Sequence, residues 1–581
     1  MSGHEPQSEK EKENEELSIK PQKDSKELPE LVDDGDPPEP PEDIPASSSN
    51  EDPPKQNKKQ YSESIGKTFS LVAMVSFLSK FFGLARDISI LYVFGTSAIS
   101  DAYFFAYLYT GNILILFGGL GGPFHSSAVS IVTPERDKEE TGKLVAQILL
   151  ITAAFLVIVA IALWLLAPYI VAYGMPGANK EMVLQAFNIM IPLVVIAGLV
   201  GAGAGISNVY RVYFWPSIAP AIASIAIIAG IFLFPDKETG VICLAGATLA
   251  GAIGQFLVQM PGVIKARPKL PSFSKLEPGI KAYLFMLGPA AIATTIGQLN
   301  VYIDAFFVSQ LEHGSMTALV NANRLIQLPL GVLLTAMIVP ILPRFTEQVT
   351  NGDIEELKNE FKRALRVLWF LVLPLVAMLL SMSGPIVELL FQRGSFDESS
   401  KAMVVLALTY LIPSVFFYVA RDLLTRIFYA HQDSTTPFRI GMAAICVKAV
   451  SDYLLVGPLG LGGITLSTTI TTIFNMTMLS MFCSKKIGSL NLSSLIKPAI
   501  VMLSASALCG AVSWYIQIKV VELITSAGLH FSHFVELAAS IAISAVLGLA
   551  IYIVFCLMLK LEEPNMATSK IKQMLKRKRN K

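Results

Sequence analysis

The stretch that decides the fold is KTFSLVAMVSFLSKFFGLARDISILYVFG, residues 67–95. It is long and apolar enough to cross a bilayer, for which ~20 mostly apolar residues suffice. Yet Lys80, Arg86 and Asp87 lie inside it. A charge near the centre of a membrane helix costs at least ~2.5–3.5 kcal/mol, so three of them require water or ionic partners within the membrane. At 1.5 Å per residue, Lys80 stands roughly 20 Å from the start of the span. Lys80 and Asp87 share a helix face two turns apart, and Gly83 between them permits close packing or a bend.

The rest of the chain has the same character. It has 581 residues, 53% hydrophobic and 16% charged, with mean hydropathy +0.55. A soluble domain carries ~25% charged residues. The charges gather in both termini and in short loops, which excludes a soluble globular protein. Windows of spanning length number fourteen, at 67–95, 101–131, 142–168, 182–207, 214–234, 240–264, 281–310, 316–343, 364–381, 402–430, 437–457, 461–484, 496–517 and 534–559. The fold class expected is therefore an all-α polytopic membrane protein. Lys and Arg concentrate in TPERDKEETGK, KARPKLPSFSKLEPGIK, KKIGSLNLSSLIK and the tail KIKQMLKRKRNK. By the positive-inside rule this puts both termini in the cytoplasm.

A weak internal repeat has an offset of six spans. RVYFWPSIAPAI opens the fifth and RIFYAHQDSTTPFRI leads into the eleventh. TGVICLAGATLAG pairs with LGLGGITLSTTIT, and FGTSAISDAYF with EHGSMTALVNANR. An even offset preserves orientation, which predicts two six-helix lobes related by an axis along the membrane normal, with a site between them. The domains expected are a disordered tail at 1–60, lobes at 61–264 and 265–487, a helix pair at 488–560 and a basic tail at 561–581. Residues 1–60, rich in Glu, Lys, Pro and Ser, lack the apolar content to offset ordering entropy. No apolar leader core precedes the first span, so no secretory signal is expected.

Further ionisable residues fall within spans: Asp101, Asp304, Arg324, Lys448 and Asp452. Immobile cations in a wet cavity attract a polyanion such as a diphosphate. Guanidinium groups meet phosphate oxygens as a bidentate fork, whereas lysine acts as a point charge. Pro329, Pro340 and Pro343 and the run FGGLGGPFHSS remove or loosen helical hydrogen bonds and read as hinges. The glycines of that run lack the strand and Lys-Ser/Thr ending of a nucleotide loop. The five cysteines form no CxxC pair and read as small packing residues, and His125 reads as a polar packing residue. A membrane phosphatase or transferase needs clustered Asp or His, and the six histidines are scattered. No catalysis, metal or nucleic acid is expected, leaving a transporter or a non-transporting membrane scaffold.

SKFFGLARDISILYVFGTSAISDAYF and NANRLIQLPLGVLLTAMIVPILPRF resemble the first- and eighth-helix signatures of the MurJ/MviN family, lipid II flippases of the MOP exporter superfamily. PIVELLFQRGSF, RIFYAHQDSTTPFRIG and GPLGLGGITLSTT match further segments in order, and the similarity covers roughly 65–560. The resemblance implies flipping of undecaprenyl-diphosphate-linked peptidoglycan precursor to the outer face of the bacterial inner membrane. A related MOP exporter of another polyprenyl-linked oligosaccharide or small molecule is the runner-up. The implied substrate-binding residues are Lys80, Arg86, Arg324 and Asp101, with the last two spans lining a groove for the polyprenyl tail. No cofactor is implied beyond a coupling cation or the membrane potential. Partners would be the lipid substrate and membrane lipids, and any protein partners would belong to cell-wall synthesis.

Two departures stand out. Many members carry an Arg pair and a Glu in the second helix, where this chain has the uncharged NILILFGGLGGPF. In some members a carboxylate, an Asn, an Asn or Asp four residues later and a Thr resemble a sodium site. The matching positions here are Asp304, Lys448, Asp452 and Thr468. A lysine brings three donors and no acceptor, so its ammonium is expected to stand in for sodium between the carboxylates.

Overall fold

The computed structural model describes residues 55–564, except 120–121, 137, 139, 237–238, 270–275, 297, 339–340 and 527–531. The tail expected at 1–60 and the basic tail lie largely outside these residues, as does Pro340. Every described regular element is a helix. In chain order they are α1 Lys55–Phe94, α2 Ala98–Gly118, α3 Pro123–Val132, α4 Thr141–Gly174, α5 Lys180–Met190, α6 Leu193–Val209, α7 Phe214–Leu233 and α8 Gly240–Ile264. There follow α9 Pro278–Ile296, α10 Leu299–Val308, α11 Ser315–Ile338, α12 Ile341–Asn351, α13 Ile354–Ser381 and α14 Ser383–Phe391. The last are α15 Glu398–Leu411, α16 Ser414–Ala430, α17 Thr435–Leu459, α18 Leu461–Ile487, α19 Ser493–Ser526 and α20 His533–Met558.

Among the described residues nine helices are long and apolar enough to cross a membrane unaided, and α15 with α16 make a tenth span bent by 47°. The other expected spans are interrupted or carry buried charge. The second is cut between α2 and α3 at the Gly-rich run, and the seventh between α9 and α10. The eighth ends where Pro343 enters α12 rather than continuing. The break between α5 and α6 falls at Ile191-Pro192, and that between α15 and α16 at Ile412-Pro413. Each proline caps the helix that follows, at φ −59° and −58°. Proline supplies no backbone donor and clashes with the preceding turn, so the same dipeptide interrupts the helix in both spans, and the second of them bends by 47° there.

The packing repeats with the same offset as the sequence. α7 lies along α8 as α17 lies along α18. α6 packs on α8 as α16 packs on α18, and α2 packs on α5 as α11 packs on α15. α9 packs on α3 and α4 of the first half, while α10 packs mainly on α17 and α18. α19 and α20 pack on each other and on α13. Membrane helices associate closely where small residues line the contact. In α6, Gly201 and Gly205 rest against the backbone carbonyls of Phe117 and His125, where a Cβ would collide.

One end of the bundle is tied across the halves by hydrogen bonds of backbone and side chain. Ser395 N–H donates to Tyr92 O at 2.8 Å, and Thr96 Oγ1 donates to Ser400 Oγ at 2.7 Å. Gly95 and Gly394 sit at φ +58° and +63°, each with its Cα against a carbonyl of the other half. Only glycine adopts such a φ at so close an approach without strain.

Candidate functional site

Between the halves lie two chambers that share a wall. The first, about 810 Å³, is lined by Lys80, Arg86 and Asp87 of α1, Arg324 and Gln327 of α11, Arg421 of α16 and Thr468 of α18. Lys80, Arg86 and Arg324, singled out in the sequence, are thus brought to one cavity from opposite halves. Asp87 is the counter-charge. It accepts from Arg86 Nε at 2.9 Å and forms an ion pair with Arg324 Nη1. The Arg324 guanidinium also lies 5.4 Å from the Phe104 ring centre, a cation–π distance.

Arg421 was not singled out in the sequence. Its neighbour Asp422 invites a local pairing, but Asp422 lies 3.8 Å from Arg426 instead. Arg421 stacks over Tyr418 at 4.1 Å and has no carboxylate partner among the described residues, nor has Lys80. The chamber therefore holds four cations against the single carboxylate Asp87. Lone cations inside a membrane persist only if water or an anion reaches them. Only a count of every cation in the sixteenth helix, without presuming local pairing, would have flagged Arg421.

The second chamber, about 570 Å³, is lined from α2 by Phe104, Tyr107 and Asn112, and from α10 by Asn300 and Asp304. Lys448, Thr468, Thr471 and Asn475 complete its far wall, and Arg324 and Arg421 form the partition shared with the first chamber. At its edge the Lys448 ammonium lies 2.6 Å from Asp304 Oδ1 and 3.0 Å from Asp452 Oδ1. It also donates to Ile464 O and Thr468 Oγ1, each at 3.0 Å. Lys448 and Asp452 are almost fully buried. Four oxygens on one buried cation satisfy it, whereas the two carboxylates alone would repel. All four residues of the expected cation cluster meet there.

Asp101, expected at the substrate site, stands apart from it. It does not line either chamber. Its Oδ2 accepts from Gly314 N–H at 2.6 Å and its Oδ1 from Thr317 N–H at 2.8 Å and Thr317 Oγ1 at 2.7 Å. The carboxylate stands in the first turn of α2 and caps the start of α11, where both helix dipoles favour negative charge. With its acceptors taken and 6% exposure, it joins the halves. His125 packs against Asn208, nitrogen to nitrogen at 2.8 Å, as a polar packing residue. Of the cysteines, Cys483, Cys509 and Cys556 are buried, but Cys446 is exposed. The side chain of the hinge candidate Pro329 lies outside the described residues.

Beside the chambers, α13, α16, α18 and α19 enclose an apolar groove of about 240 Å³ lined by Phe361, Trp369, Phe416, Met476 and Ile500. It lies against α19 alone of the final pair.

Residues 90–534 match the family model described as lipid II flippase MurJ. A probable lipid II flippase MurJ of Synechocystis sp. is 32% identical over 469 residues, covering 78% of this chain and 88% of its own. The lipid II flippase MurJ of Burkholderia cenocepacia is 30% identical over 430 residues, covering 71% of this chain and 83% of its own. In fold, the chain superposes on a lipid II flippase MurJ in an inward closed conformation, with TM-score 0.67 at 21% identity over 84% of this chain and 98% of that one. An inward-facing multidrug transporter of the MATE family, in the MOP superfamily, matches with TM-score 0.60 at 16% identity over 73% of this chain and 99% of that one.

Proposed function

The chain belongs to the lipid II flippase MurJ family, and from that premise we propose that it carries the polyprenyl-diphosphate-linked peptidoglycan precursor across the bacterial inner membrane through the paired chambers. It is a multi-pass membrane protein of a transporter family, not of a catalytic one. The observation that carries the reading is the first chamber: four cations from both halves around one carboxylate, two of them without an ionic partner. A diphosphate supplies the missing negative charge.

Both termini lie in the cytoplasm on this reading. The Tyr92–Ser395 and Asp101–Thr317 contacts then close the external side, and the headgroup enters from the cytoplasm. Arg324 and Arg421 take the phosphate oxygens in bidentate fashion and Lys80 adds a point charge. Arg86, held by Asp87, sets the position of Arg324 through their common carboxylate. The polyprenyl chain stays in lipid, with the groove at α19 beside it. The halves then rock about the broken spans, parting the external contacts. A membrane potential positive outside assists outward anion movement by ~2.3 kcal/mol per charge per 100 mV.

The Lys448 ammonium occupies the place of a coupling cation between Asp304 and Asp452. Support comes from its four oxygen neighbours at 2.6–3.0 Å. Transport then needs no sodium.

The test is lipid II accessibility at the external face of cells depleted of their own flippase and supplied with this chain. Restored labelling is expected. A chain that reaches the membrane at normal abundance and leaves the lipid inaccessible would refute the assignment.

A further inference from the structure

The second chamber is lined by carboxamides. Asn112, Gln298, Asn300, Asn323, Gln327 and Asn475 face it from α2, from α10 and its first turn, from α11 and from α18. All but Asn323, which donates to Leu319 O at 3.0 Å, make no side-chain hydrogen bond among the described residues. The Asn300 Oδ1 is buried as well as unpaired.

A carboxamide offers two donors and one acceptor with two lone pairs. Unpaired amides aimed at a void from several directions are costly unless something polar fills it. A ring of them matches a ligand that alternates donors and acceptors without net charge, which describes sugar hydroxyls, N-acyl groups and peptide bonds. It does not match a phosphate, which is acceptor-rich and finds its donors at Arg324 and Arg421 on the partition. The volume, about 570 Å³, is within the ~300–1,000 Å³ of small-molecule sites.

We propose that the cavity is divided by chemistry: the cationic chamber takes the diphosphate, and the carboxamide chamber takes the sugar hydroxyls and amide groups of the headgroup, with Arg324 and Arg421 at the junction. This rests on the flippase reading and adds which part of the substrate each chamber recognises.

The experiment compares two lipids for equilibrium binding to the full chain in nanodiscs: polyprenyl diphosphate bearing a disaccharide-peptide, and bare polyprenyl diphosphate. The wild type is expected to prefer the first by about tenfold or more. The double variant Asn300→Leu, Asn475→Leu, similar in volume but without hydrogen bonding, is expected to bind both at the wild-type affinity for the bare lipid. Its retained affinity for the bare lipid shows that it is folded. Should it lose both, the single variant Asn112→Leu decides, with a preference reduced about threefold expected. A wild type without preference, or an Asn112→Leu or double variant that keeps the full preference, overturns the division and means that the amides hold only water. Both results leave the flippase reading standing. A wild type that binds neither lipid removes that reading, and the division with it.

Discussion

Asp87 of α1 and Arg324 of α11 form an ion pair across the line between the two halves, with Asp87 also held by its neighbour Arg86. One buried carboxylate thus fixes two of the cavity's cations and ties the halves together. Asp87→Asn leaves both guanidiniums short of a partner and is expected to lower stability by about 1–3 kcal/mol. A double-mutant cycle with Arg324→Ala, read by thermal unfolding in detergent, should give a coupling of at least ~0.5 kcal/mol. Strict additivity would mean that the pair carries nothing.

Arg421 makes a sharper test of the cationic chamber, because no ion pair depends on it. Arg421→Ala is expected to reduce transport about tenfold or more, the loss from removing a charged hydrogen bond of ~1.5–3 kcal/mol, with little change in melting temperature. Arg421→Lys should recover only part, since lysine cannot form the bidentate fork. Wild-type transport by Arg421→Ala would remove it from the substrate's path.

Lys448→Asn removes the ammonium and leaves Asp304 and Asp452 facing each other. The variant is expected to be destabilised in choline chloride and to recover in sodium chloride, as sodium re-enters between the carboxylates. The wild type should show no sodium-specific gain. A clear sodium-dependent rise in wild-type melting temperature would end the surrogate reading.

Asp101→Ala deletes the cap of α11 and three bonds across the halves. The expected cost is about 1–2 kcal/mol, expressed as easier opening of that end. A thiol introduced at Thr96 should react faster with an impermeant reagent in the variant, while affinity for the bare polyprenyl diphosphate stays as in wild type. Weakened lipid affinity without faster labelling would return Asp101 to the binding site.

Outside the membrane, Asp433 accepts from Thr436 N–H and pairs with Lys486 at 2.7 Å. The Lys486 hydrogen bond and then that of Thr436 pull its carboxyl from 3.8 down to about 2. A depressed acid stabilises the fold above its unfolded value, and that stabilisation fades as pH falls from about 4 through about 2. Screening by solvent keeps it to about 0.5–1 kcal/mol. The stability deficit of Asp433→Asn should therefore be constant from pH 8 to 5 and shrink only below 4. A deficit that varies across neutral pH would point to another group.

The sequence by itself determined the class of the molecule, because the cost of unpaired backbone groups in lipid leaves long apolar runs no choice but helix. It also determined that charges such as Lys80, Arg86 and Arg324 had to find water or partners, since their cost in lipid does not depend on the fold. The helix breaks at the Ile-Pro dipeptides 191–192 and 412–413 went unread, because the repeat was traced in other segments. Which carboxylate meets which cation was not legible. Asp87, Asp101 and Asp304 are equivalent as residues, yet one is shared by two arginines, one caps a helix of the other half and one meets a lysine. Helical spacing fixes only neighbours three or four positions away; contacts 200 residues apart depend on how the helices pack. For the same reason Arg421 and the scattered carboxamides became a site only when four or five helices placed them around one void.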